Sequence, residues 1–298
     1  MDEKETKEIR ESPINLSVLV SAIIVASALV YNAQFPNAKQ TVNNESAGVV
    51  ADRVLPVEGI LLPVILGDLG SKMASVGVID ADELKKIYGA NFSSEYQELL
   101  FGNSKSKLRI TEQNSGFLLN IFWALGLGQK STVLDAGEMN DPKYGGAGIF
   151  ASTGGWTIAK GSAMDHYSRH LFFNLTPEQN ALVEKVSKNI YRPCCNNSTH
   201  FPDCNHGMAM LGFLELMASQ GVGEREMYKA ALAVNTYWFP DNYLTIASYK
   251  KSQGVEWKDV SPEEILGFDY SSASGYSKVV SKTKPIQRSQ GGSCGIEG

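Results

Sequence analysis

Nothing in this chain neutralises a phosphate backbone: 27 Lys and Arg stand against 32 Asp and Glu, for a net charge of −5. No basic stripe interrupts that balance, which excludes a dedicated nucleic-acid binder and leaves proteins, metals or small molecules as partners. Nucleotide motifs are missing too. The glycine-rich stretch from Tyr144 to Gly155 (YGGAGIFASTGG) has neither Gly-x-Gly-x-x-Gly spacing after a strand nor a Gly-Lys-Ser/Thr ending, so tight packing of its backbone against neighbouring helices is its expected use. Runs of alternating β-branched residues are almost absent, which argues against a β fold. Cysteine is scarce, at four residues, and no Cys-x-x-Cys pair of a zinc ribbon occurs. What remains is 298 residues with 43% apolar side chains, enough for one large core or two modest ones.

Only one segment is continuously apolar. Ile14 to Tyr31 (INLSVLVSAIIVASALVY) carries no charge over 18 residues, and as a helix it spans roughly 27 Å, the thickness of a thin hydrocarbon layer. A buried core helix and a cleaved signal peptide are its rivals; Ala26-Ser27-Ala28 has the small-x-small pattern of a cleavage site. That triplet lies inside the apolar run, however, and the preceding residues hold five acidic and three basic side chains, a poor signal n-region. The reading is therefore an uncleaved single-pass transmembrane anchor in a bacterial cell membrane. Residues 1–13 lie in the cytoplasm and the bulk of the chain outside it. Residues 32–52, rich in Asn, Ala, Gln and Ser, read as a stalk.

Beyond the stalk the expected fold is mostly α: a helical domain over residues 53–155, a Cys/His-bearing helical bundle over 156–277 and a flexible tail over 278–298. Helices are expected near 66–76, 81–88, 94–101, 111–126, 158–172, 177–191, 205–220, 223–238, 242–253 and 261–266. Several carry their own start signals: Asp80 with Glu83, Thr176-Pro177 with Gln179, and Ser261-Pro262 with Glu264. Each pairs a capping oxygen with a partner three residues on, twice with Pro in the first turn.

All four histidines and three of the four cysteines fall between His166 and His206, the least random feature of the chain. His166 and His170 are four apart, which on a helix puts both rings on one face. In YRPCCNNSTHFPDCNHGMAM a helix ends near Pro193, a loop holds Cys194, Cys195 and His200, and a helix starts near Cys204 with Asp203 as its cap and His206 in its first turn. Met208, Met210 and Met217 continue an apolar surface and read as core.

Three uses compete for the cysteines. A disulfide between Cys194 and Cys195 is strained, because adjacent Cα atoms are about 3.8 Å apart; a bridge from either to Cys204 has better geometry. Thiolates, imidazoles and thioethers also suit zinc or cuprous copper, with Cys194, Cys195, Cys204 and His206 as ligands and His200 or the His166/His170 pair completing the shell. Thiol exchange is the third: the helix N-terminus at Cys204 stabilises its thiolate, and the neighbouring Asp203 opposes that. Cys294, in Gly-Gly-Ser-Cys-Gly, is expected to form a reversible disulfide with Cys194 or Cys195. A tail of about 16 residues from Lys278 would let it reach.

Residues 181–237 run as a helix, a turn with Arg192, Cys194 and Cys195, then two helices separated by Gly221. This order resembles the periplasmic domain of the cytochrome c maturation H family, a three-helix bundle whose Leu-Arg-Cys-x-x-Cys motif handles protein thiols. Here the two cysteines are adjacent and Cys204-Asn205-His206 is inserted. The resemblance implies a helical thiol-bearing bundle. The expectation is a membrane-anchored extracytoplasmic protein whose Cys194, Cys195, Cys204 and Cys294 carry thiol–disulfide exchange on exported proteins. Its alternatives are a zinc or copper carrier or sensor and a structural protein of the envelope.

Overall fold

The computed structural model describes residues 51–155 and 157–288, and the fold is mostly helical with one two-stranded sheet. The expected anchor, most of the stalk and Cys294 lie outside the described residues. Among the described residues no helix is long and apolar enough to cross a membrane.

Two strands stand where no strand was expected. β1 (Ile60–Gly67) pairs antiparallel with β2 (Ser104–Ile110), Ile60 opposite Ile110 and Gly67 opposite Ser104. β1 is apolar on both faces, which hides its period of two. Its alternation shows only in burial: Leu62, Val64 and Leu66 are inside, while Leu61 is exposed. The helix expected over 66–76 starts later, at α1 (Leu69–Ser75), because Gly67 turns the chain at φ +62°. α2 (Ala81–Tyr88) and α3 (Ser94–Phe101) follow. Asp80 caps α2 as expected, accepting from the backbone N–H groups of Asp82 and Glu83.

The centre of the molecule is a crossing of two apolar helices, α4 (Ser115–Gly128) and, after the short α5 (Thr132–Ala136) and α6 (Pro177–Asn189), α7 (Asn205–Ser219). A helix apolar on all sides must be surrounded. Here the backbones themselves meet. A Cβ on Gly126 would lie 2.1 Å from the Met208 carbonyl oxygen, and one on Gly212 would lie 2.4 Å from the Phe122 carbonyl oxygen. Met208, Met210 and Met217 are buried in the same core. The described residues of 53–155 and 156–277, expected as separate domains, share this one core and fall in one compact unit. α8 (Glu224–Trp238), α9 (Pro240–Ser252), α10 (Pro262–Leu266), α11 (Phe268–Ser271) and α12 (Ala273–Val280) complete the wall.

The helix expected over 158–172 does not form. A capping box between Ser162 and Asp165 starts only one turn, Ala163–Asp165. The next donors go instead to the open carbonyls at the end of α4: Ser168 N–H to Leu127 O at 2.8 Å and His170 N–H to Gly128 O at 2.7 Å. Ser168 takes φ +52° to make that turn.

The tail expected from 278 is partly docked as well. Residues 278–280 close α12, Ile286 N–H donates to Thr245 Oγ1 at 2.9 Å, and Arg288 pairs with Asp241 and Glu112.

Candidate functional site

The turn between α6 and α7 is built around one buried side chain. Its backbone closes on itself, with Thr199 N–H bonding Ile190 O at 2.8 Å and His200 N–H bonding Ser187 O at 3.1 Å. Arg192 points into that closed turn and is 1% exposed. Its guanidinium donates to Asn197 O (2.9 Å), Phe201 O (3.2 Å), the Asp203 carboxylate and, through Nε, Cys204 Sγ (3.0 Å). Gly207 makes room for it: a Cβ there would stand 2.5 Å from Arg192 Nη2.

Asp203 was expected to cap α7. It faces Arg192 instead, and its Oδ2 accepts from Asn197 Nδ2 at 2.8 Å. Cys204 takes the cap, extended at φ −118° and ψ 164°, its Sγ accepting the Gly207 N–H at 3.4 Å. A sulfur at a helix N-terminus gains from the dipole and from otherwise open N–H groups when it is charged. Since Asp203 is paired, its opposition to that charge is reduced.

Three sulfurs converge on this cap. Cys194, Cys195 and Cys204 place Sγ atoms all within 4.8 Å of one another, and Cys194 Sγ is 3.7 Å from Cys204 Sγ. None of the three is in a disulfide. Their environments differ. Cys194 is exposed, and Cys195 is partly buried beside Asn197 O (3.9 Å) and Asp203 Oδ1 (4.0 Å). Hydrogen bonds from the Cys194 and Cys195 thiols hold Cys204 well below the usual thiol range; burial opposes them, and the charge of Arg192 and a hydrogen bond from His206 add to them. For Cys195, the hydrogen bond with Cys194 is outweighed by the one to Cys204 and by burial, and its thiol is pushed up to about 11.

The histidines divide. His206 borders the cluster, its ring packed 4.4 Å from that of Phe239. His200 faces Ser187 Oγ at 3.3 Å in a separate cavity of about 140 Å³ with Thr132 and Glu184. His166 and His170 do meet, Nδ1 to Nε2 at 3.0 Å, but across the turn that replaces their expected helix, with His166 Nε2 against Lys160 O. None of the four histidines, His206 included, joins the sulfurs in a metal-sized group among the described residues.

Behind the cluster the glycine-rich stretch, expected to pack its backbone against neighbouring helices, folds closely on itself: a Cβ on Gly154 would lie 2.1 Å from Gly148 O. Ser152 N–H holds Asp203 O at 3.0 Å. Sequence reasoning placed Arg192 in a motif and missed its role as the buried partner of Cys204. The available signal was Gly207, a poor helix former three residues after a capping cysteine.

Two chemistries suit three close sulfurs. A disulfide needs Cys194 and Cys204 to approach by about 1.7 Å. A tetrahedral zinc or cuprous centre needs sulfurs roughly 3.8 Å apart, which the Cys194–Cys204 spacing meets. Arg192 separates the two, because it places a positive charge 3.0 Å from the sulfur a cation would bind. Comparison with protein-family models, curated proteins and solved structures gives no match, so the site speaks through its own geometry.

Proposed function

We propose that the chain catalyses thiol–disulfide exchange on exported proteins, held at the membrane by residues 14–31. The observation that carries this reading is the placement of Cys204 Sγ: 3.7 Å from the exposed Cys194 and bonded by Arg192 Nε–H and Gly207 N–H. In the oxidised form a substrate thiolate attacks Cys194 Sγ, the Cys194–Cys204 bond breaks, and Cys204 leaves as a thiolate into those donors. A second substrate thiolate then attacks the substrate sulfur of the mixed disulfide and expels Cys194. Two substrate thiols become one disulfide and the two cysteines are reduced; exchange with an external disulfide regenerates them. Stabilising the reduced form makes such a pair an oxidant. The thiol-bearing turn between α6 and α7, where the family resemblance lies, supports the same chemistry.

The test is oxidation of a reduced, unfolded protein by the full chain in a glutathione buffer. Catalysis that Cys194→Ser and Cys204→Ser each abolish supports the reading, and equal rates with and without the chain overturn it. Zinc or cuprous binding is the second reading, favoured by the 3.7 Å sulfur spacing. Elemental analysis and thiol counting separate the two. A chain with four titratable thiols and no stoichiometric metal supports exchange; one metal ion per chain with the cluster thiols protected supports the carrier.

A further inference from the structure

Exchange through Cys194 and Cys204 uses two sulfurs, and the turn holds three. Cys195 is fixed against the cluster at both backbone ends, its N–H bonded to Arg192 O at 3.3 Å and its carbonyl accepting the Ala273 N–H at 2.9 Å. Its sulfur stays within 4.8 Å of the other two. Which pairs can bond is limited by the chain. Cys194 and Cys195 are adjacent, with Cα atoms about 3.8 Å apart, below the roughly 4.4 Å minimum of an unstrained disulfide. The two remaining pairs within the cluster, Cys194–Cys204 and Cys195–Cys204, therefore share Cys204.

Resting on the exchange reading, we propose that Cys195 is a second partner of Cys204, so that the singly oxidised cluster has two interconverting forms and acts on two classes of protein substrate. With Cys194–Cys204 bonded, the exposed disulfide oxidises protein thiols. With Cys195–Cys204 bonded, Cys194 is the exposed thiol and attacks mispaired disulfides in a folding protein.

The interconversion is internal. Cys194 loses its proton and attacks Cys204 Sγ, the Cys195–Cys204 bond breaks as Cys194–Cys204 forms, and Cys195 leaves as a thiolate and takes up a proton. One S–S bond is exchanged for another and no electrons are gained or lost. In the second form the reaction with substrate is also neutral. Cys194 forms a mixed disulfide and releases a substrate thiolate, which attacks elsewhere in the substrate. A later substrate thiolate attacks the mixed disulfide and frees Cys194. Because Cys204 is engaged with Cys195, it does not resolve the mixed disulfide, and the substrate is rearranged rather than reduced.

The test is a disulfide map of the full chain, oxidised by glutathione disulfide to one internal bond, quenched in acid and alkylated. Tandem mass spectrometry cleaves between Cys194 and Cys195 and shows which of them carries the label. Both linkages are expected, the minor one at about 5% or more. In addition Cys195→Ala, with Cys195→Ser as a second variant should the first misfold, is expected to slow rearrangement of a scrambled-disulfide protein about tenfold or more. Absence of the Cys195–Cys204 bond from both the wild type and Cys194→Ala overturns the proposal, as does undiminished rearrangement by the folded variants. If Cys194–Cys204 is missing too, the underlying exchange reading fails with it; if Cys194–Cys204 alone is found, that reading stands and only the two-form proposal falls.

Discussion

Arg192 Nε lies 3.0 Å from Cys204 Sγ, and the same guanidinium holds Asp203 and two carbonyls of its own turn. A fully buried cation is stable only with such partners, and their charge outweighs the effect of burial, raising its already high pKa. One residue thus shapes the turn and adds to the hydrogen bonds of Cys194 and Cys195 in favouring a charged sulfur at Cys204.

Replacing Arg192 with Gln is expected to raise the pH at which Cys204 becomes alkylatable and to cost roughly 3–5 kcal/mol of stability, because Asp203 loses its buried partner. Arg192→Lys should fall between, since an ammonium keeps the charge and loses the planar fork. Alkylation rates against pH and urea unfolding measure the two effects. An unchanged alkylation profile in folded Arg192→Gln would show that the guanidinium does not govern the thiolate.

Gly207→Ala sets two effects against each other. Alanine favours the helix by up to about 1 kcal/mol, while the new methyl would sit 2.5 Å from Nη2 of the Arg192 guanidinium, a group that four hydrogen bonds hold in place. Overpacking of this kind costs about 1–3 kcal/mol, so a net loss of stability is expected, together with weaker acidity of Cys204. A variant more stable than the wild type would mean that the guanidinium moves aside freely.

A pH effect is expected away from the sulfurs. Glu215, in the middle of α7, is 1% exposed, its Oε2 has no hydrogen-bond partner among the described residues, and burial pushes its carboxyl up from 4.5 to about 8. Between those values the unfolded chain has released a proton that the fold still binds. Stability therefore falls as pH rises from about 4.5 to about 8, by at most roughly 1.4 kcal/mol per unit, and levels off above. Glu215→Gln should remove that slope and be the more stable protein at pH 8. Thermal or urea unfolding across this range, with the slope intact in the variant, would assign it to other groups.

The N-terminal segment is expected to keep the chain in the membrane uncleaved. Sequencing the N-terminus of protein recovered from membranes should find Met1 or the residue after it. A start near Leu29 would make residues 14–31 a signal peptide.

How much of this was legible in the sequence depended on where each residue's partners lie. Asp80, Thr176 and Ser261 marked their helices correctly because each bonds to a backbone N–H two or three residues away. α4 and α7 were legible from apolar content alone. β1 was not, since Leu61 and Val64 look equivalent until one is placed outward and the other inward. Residues 158–172 were misread for a different reason: their donors are used up by carbonyls of α4, some 40 residues earlier in the chain. At the site, clustering revealed the three cysteines, but no local pattern shows that Asn197 and Phe201 turn their carbonyls inward to bury an arginine.

The close crossing of α4 and α7 decides which sulfur travels when the disulfide forms. Met208, whose carbonyl abuts Gly126, follows directly on Gly207, whose N–H holds Cys204. Sliding the start of α7 toward Cys194 would drag that backbone across its neighbour, in an interior that yields little. Cys204 is accordingly the stationary half of the pair, and the short stroke needed to close the bond belongs to the 193–195 turn on the surface. Oxidation should then register as altered hydrogen exchange in that turn and in the start of α12 to which Cys195 is tied, with the core of α7 silent.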